Sequence, residues 1–220
     1  VMPIKRCGMQ IRGRKQAERP LPGWFWSVPV VLLAGVMLLI ALGPEERTLG
    51  GGIRSVYLHV GLIWTGLVGF GGTAVLGLGL LLTNKPAWRR WFVPVSWVAL
   101  AFYAAGVFMS MVASADNWGA VFLQEPRMAA SLNGLAVATI LLVLGSWQPW
   151  PRLRGALGVS VIFVLLWFNF SAELVLHPPN PITNSDATPI QLTFLLVTAL
   201  FVLLAGWVVW LLTHGYSRSN

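Results

Sequence analysis

Six runs of predominantly apolar residues, at approximately 24–43, 57–83, 92–114, 128–147, 155–176 and 190–213, leave little room for anything else in this 220-residue chain. Each is about the length an α-helix needs to cross a hydrocarbon layer roughly 30 Å thick. Membrane-spanning strands would be about ten residues long and would alternate polar with apolar, which these runs do not. Only 10% of the residues are charged and 56% are hydrophobic, whereas a soluble domain carries about 25% charged residues. The expected fold class is therefore an all-α integral membrane protein, a six-transmembrane-helix bundle. Connectors such as NKPAWRR (84–90) and QPWPRLR (148–154) hold proline at the breaks and are too short to tether a soluble domain. The organisation expected is a basic tail at 1–23, a membrane domain at 24–213 and a short tail at 214–220.

The formal net charge of +8 would suggest nucleic acid in a soluble protein. Here the basic residues lie between apolar runs, so membrane orientation explains them and no nucleic-acid partner is expected. Segments 1–23, 84–90, 148–154 and 214–220 hold twelve of the fifteen Lys and Arg; Arg47, Arg54 and Arg127 are the other three. Of the seven acidic residues only Glu18 shares the basic side. The positive-inside rule then places both termini in the cytoplasm. The first run is longer than the roughly 7–15 apolar residues of a secretory signal, so it is read as a retained span. Trp24, Trp26, Trp88, Trp91, Trp147 and Trp150 cluster near the basic ends of the runs, as a headgroup-level belt would. Gly61, Thr65, Gly69, Thr73 and Gly77 recur every four positions in the second run, a small-residue stripe suited to close helix packing.

Cys7 is the single cysteine, which excludes an internal disulfide, a thiolate-held zinc or iron–sulfur site and CxxCH haem attachment. The histidines are more informative. His59 opens the second run within RSVYLHVGLIW, and His177 closes the fifth within SAELVLHPPNP. The topology sets these two at matching depth on one side, with His214 on the other. Two neutral imidazoles at equal depth suit one metal, and haem iron fits an apolar, aromatic-rich setting. Non-haem iron or zinc would need further ligands, for which Glu173 and Glu125 are the carboxylates at hand. Glu173 precedes His177 by four residues, a spacing that puts both on one helix face. The plainer alternative stays open: each histidine sits at the membrane boundary, bonded to water or a backbone carbonyl.

Six spans, YLHV at the second, a tryptophan-containing segment between spans three and four, and LH after span five resemble the CcmC/CcsA-type haem-handling proteins of cytochrome c biogenesis. That family carries the pattern W-G-x-x-W-x-W-D-x-R between those spans. This chain reads WGAVFLQEPR over 118–127, matching at Trp118, Gly119 and Arg127 with Glu125 in place of Asp. Phe122 and Gln124 replace two tryptophans, and Gly61 stands where the family commonly has proline. The resemblance implies a non-covalent haem b, with His59 and His177 as axial ligands. It implies Trp118 as a haem-edge contact and Arg127 as a propionate partner. It also implies cofactor handling rather than classical enzymatic catalysis, in a bacterial-type inner membrane with the functional face outward.

Partners expected are membrane lipid and either other membrane subunits or a haem-accepting protein. Two alternatives remain: a haem b electron-relay or anchor subunit of a respiratory or photosynthetic complex, and a purely structural or pigment-contacting subunit. Reporter fusions within 84–90 and within 115–126 should report opposite sides of the membrane. The same side for both would contradict the topology and the pairing of the histidines together.

Overall fold

The computed structural model describes residues 23–172 and 186–216. A 3-10 turn at Gly23–Trp26 leads into α1 (Ser27–Leu42), followed by α2 (Ile53–Leu82), α3 (Pro86–Trp118), α4 (Pro126–Trp147), α5 (Pro151–Ser171) and α6 (Thr188–Tyr216). Among the described residues there is no strand, only an isolated bridge between Glu46 and Gly50. Helices α2 to α6 are long and apolar enough to cross a membrane, and α1 is a shorter apolar helix. The all-α membrane bundle expected from the apolar runs is borne out.

The helices begin where the backbone makes starting easy. Lys85, Glu125 and Trp150 are extended, and each is followed by a proline in the first helical position. There proline loses nothing by lacking an N–H, and its fixed φ is already helical. Helix α3 ends at Gly119, whose φ of 74° is left-handed and whose N–H bonds to the carbonyl of Ala115. That is the αL way of closing a helix, and it favours glycine. At 30 and 33 residues, α2 and α3 are about 45–50 Å long, well beyond the hydrocarbon thickness.

Helix α2 is the centre of the bundle, packed on α3, α5 and α6. It runs antiparallel to α3: Gly52 meets Asn117, Ile63 meets Gly106, Gly66 meets Tyr103 and Gly69 meets Ala99. Its far half lies against α5, where Gly77 faces the carbonyl of Gly155 and Thr73 faces Gly158. The small-residue stripe thus serves no single partner. It drifts around the helix, presenting Gly61 to Val197 and Phe201 of α6, Gly69 to α3 and Gly77 to α5. Thr65 and Thr73 are buried with hydroxyls donating to the carbonyls of Gly61 and Gly69, so neither leaves a polar group unsatisfied.

Two apolar cores result. One joins α1, the start of α2 and α6 around Tyr57, Val197 and Phe201. The other joins α2 to α5 around Phe70, Tyr103, Ala138 and Leu165. Gly66 and Gly71 separate packing from propensity. A Cβ at Gly66 would lie 2.6 Å from the Cβ of Tyr103 and 2.7 Å from its backbone nitrogen. Gly66→Ala should therefore destabilise by about 1–3 kcal/mol. Gly71 has nothing within 4 Å of the added carbon, so Gly71→Ala should be neutral or stabilising by up to about 1 kcal/mol. Unfolding midpoints in detergent measure both.

Candidate functional site

The end of the bundle that holds His59 is built where α2 begins and α3 finishes. Asn117 Nδ2 donates to the carbonyls of Gly52 and Ala113 and to Ser55 Oγ, at 3.2, 2.9 and 3.2 Å. Ser55 Oγ donates in turn to Asp116 Oδ2 at 2.9 Å. One turn further into α2, the half-buried His59 ring sets Nδ1 3.0 Å from the carbonyl oxygen of Gly106 on α3. Residues 43–52 form the adjoining loop. Glu46 receives the Thr48 hydroxyl and the N–H groups of Thr48 and Leu49. The Thr48 hydroxyl foremost, with those N–H groups, holds the Glu46 carboxyl below its ordinary range. Acidification through that lowered range would release the loop's cap. Tyr57, fully buried, donates its hydroxyl to the Pro44 carbonyl.

The segment between α3 and α4 is shorter than the sequence suggested. Residues 115–118 are the last turn of α3 rather than a connector, leaving 119–125 to make the link. Glu125 is buried, and its Oε2 accepts from the N–H of Met128 at 2.7 Å, capping α4. One of its carboxylate oxygens thus serves the helix start, a role the sequence reading missed. The signal was present as a carboxylate directly before a proline that opens an apolar run. Arg127 lies in the first turn of α4, and its Nε is buried with no hydrogen-bond partner. Its neighbour Met128 receives the Ser110 hydroxyl at 3.3 Å, which sets this turn about 6 Å along α3 from Gly106. Arg127 and His59 therefore occupy neighbouring layers of the bundle.

Trp118 stands further out. It is 44% exposed and lies twelve residues past Gly106 on α3, about 18 Å along the axis. With Thr48, Leu49, Gly52, Asp116 and Asn117 it lines an open cleft of about 410 Å³. His214 sits at the opposite end of the bundle, its Nδ1 2.8 Å from the Trp210 carbonyl and its ring stacked on Trp210. His177 and Glu173 lie outside the described residues. The helices flanking them, however, both reach the His59 end. Leu165, near the end of α5, packs with Tyr103 of α3, and Ile190, near the start of α6, packs with Tyr57. Among the described residues no three His, Cys, Asp or Glu side chains form a metal-binding group.

No protein-family model matches the chain. Over 223 aligned residues it is 24% identical to the heme exporter protein C of Bradyrhizobium diazoefficiens, covering 92% of this chain and 78% of that protein. The chain is similar to CcmC along nearly its whole length. The resemblance drawn from the sequence is borne out. The fold also gives parts of the CcmC-like pattern a physical meaning in this chain. Trp118 and Gly119 are the last helical residue and the left-handed cap of α3, Glu125 is the cap of α4, and Arg127 is in its first turn.

Asn117 ties the end of α3 to the start of α2 by two hydrogen bonds, to the Gly52 carbonyl and Ser55 Oγ. Asn117→Ala should raise amide hydrogen exchange at 48–56 by roughly tenfold, with exchange at the Gly77–Gly155 contact unchanged. Equal protection in the variant would show that the clamp does not hold this end closed.

Proposed function

We propose that this chain binds haem b non-covalently at the His59 end of the bundle and passes it to a partner during cytochrome c assembly. The observation that carries the reading is the buried Arg127 Nε without an acceptor, one layer from His59. A buried guanidinium nitrogen left unpaired is costly, and a carboxylate is the group its fork fits best. Haem supplies both an iron that takes imidazole nitrogens and two carboxylates that take cations. The residues present fit that group. The name of the CcmC relative supports haem as what this chain handles.

In this reading His59 and His177 are the axial ligands, and Arg127 receives a propionate. Trp118, about 18 Å outward of Gly106 along α3, meets the outer edge of the site rather than the iron. The paired long helices hold His59 in one orientation, which a ligand set requires. HPPNP after His177 restricts the backbone there, because proline constrains itself and the residue before it. The basic asymmetry of the connectors turns this end away from the cytoplasm, towards a haem acceptor outside or other membrane subunits. The protein is then a multi-pass inner-membrane protein of bacterial type that handles a cofactor. Phe122 and Gln124 in place of tryptophan favour a second reading, a permanent haem b electron relay. Retention of haem during purification distinguishes the two, being stoichiometric for a relay and partial for delivery.

Haem per protein, measured by pyridine haemochrome, should fall several-fold in His59→Ala and in His177→Ala and vanish in the double variant. His214→Ala should keep its haem. Arg127→Ala should weaken haem retention by roughly tenfold. Full haem content in the double variant would overturn the ligand assignment.

A further inference from the structure

The geometry points to Gly106 as a positioning residue: its carbonyl holds His59 in the tautomer protonated on Nδ1, so that Nε2 carries the electron pair. This rests on the reading of His59 as a haem ligand, but the test below needs no haem.

A carbonyl oxygen only accepts, so the Nδ1 that lies 3.0 Å from the Gly106 oxygen must be the donor. A neutral imidazole carries one proton, and a proton on Nδ1 leaves the lone pair on Nε2. The carbonyl can serve His59 while also serving its own helix, since it has two lone pairs. Such a bond makes the opposite nitrogen a better ligand and fixes the plane of the ring.

Glycine is what makes the contact possible. A Cβ at position 106 would lie 2.7 Å from the backbone nitrogen of Ile63 and 2.8 Å from its Cγ1. His59 and Ile63 are four residues apart on one face of α2, so the approach that brings Ile63 onto Gly106 also brings the imidazole over its carbonyl. No other side chain at 106 permits this without separating the helices. Gly106 therefore does for His59 what a carboxylate does in many metal sites, with a backbone group that carries no charge into the membrane.

The test is nitrogen-15 NMR of histidine-labelled full-length protein in lipid nanodiscs, purified without added haem, at neutral pH. The His59 resonances are assigned by their loss in His59→Gln. Nδ1 should appear as the protonated nitrogen and Nε2 as the unprotonated one, with the other tautomer at least about tenfold less abundant. Gly106→Ala should bring the two tautomers to comparable populations. Gly71→Ala, on the same helix as His59 but with nothing within 4 Å of the added carbon, should leave the ratio as in the wild type. A wild-type ring protonated on Nε2, as neutral tautomer or imidazolium, overturns the proposal even if Gly106→Ala does not fold. So does a folded Gly106→Ala protein with an unchanged ratio. If the tautomer is found but His59→Ala still keeps its haem, the ligand reading fails and this inference about the ring stands.

Discussion

The close approach of α2 to α3 determines the rest of the bundle. Lipid offers no hydrophobic drive for one helix to seek another, so contact depends on how nearly backbones can meet. Gly66, Gly69 and Gly106 remove the side chains that would keep these helices apart. The consequence runs the length of the pair. At one end the approach places Trp88 over Gly79, and at the other it brings Asn117 to Gly52 and His59 to Gly106. The remaining helices pack on a pair already fixed. Helix α5 meets α2 at a glycine–glycine contact, and α6 meets it at Gly61.

Much of this was legible in the sequence, because hydropathy reports directly on what a membrane helix must do. Helix ends were less so. The stretch NKPAWRR looks like a connector by composition, yet Pro86 opens α3 and the following residues are its first turns. Backbone hydrogen bonding continues past the hydrocarbon, whereas hydropathy records only the part within it. The same holds at Trp118, which looked like a loop residue and ends a helix. The small-residue stripe was visible, but not its division among three neighbours, since a four-residue repeat drifts around a helix of 3.6 residues per turn. The glycines that matter most to His59 are partly elsewhere, at 66 and 106. Nothing in a single chain marks a glycine as packed until its partner is known.

The candidate site was legible in its residue types and only partly in its arrangement. Arg127 was singled out as a carboxylate partner, and it is the residue with a buried, unpartnered Nε. Glu125 looked available as a ligand, and helix α4 uses it as a cap. His59 bonds a backbone carbonyl, as the plainer sequence alternative had it, but no pattern marks that carbonyl as the one of Gly106. These particulars make one physical picture. A rigid helix pair carries an imidazole, a neighbouring layer carries an arginine with a buried, unpartnered Nε, and an indole borders an open cleft further out. The similarity to a heme exporter protein C gives that picture its chemistry.

The proposed function depends on His59 and His177 sharing one iron. Electron paramagnetic resonance of the oxidised full-length protein, loaded with one equivalent of haem in nanodiscs, tests it directly. Shared ligation should give a low-spin ferric signal of the bis-imidazole type that is lost when either histidine is replaced by alanine. A high-spin signal in the wild-type protein, or a low-spin signal that survives both replacements, would contradict it.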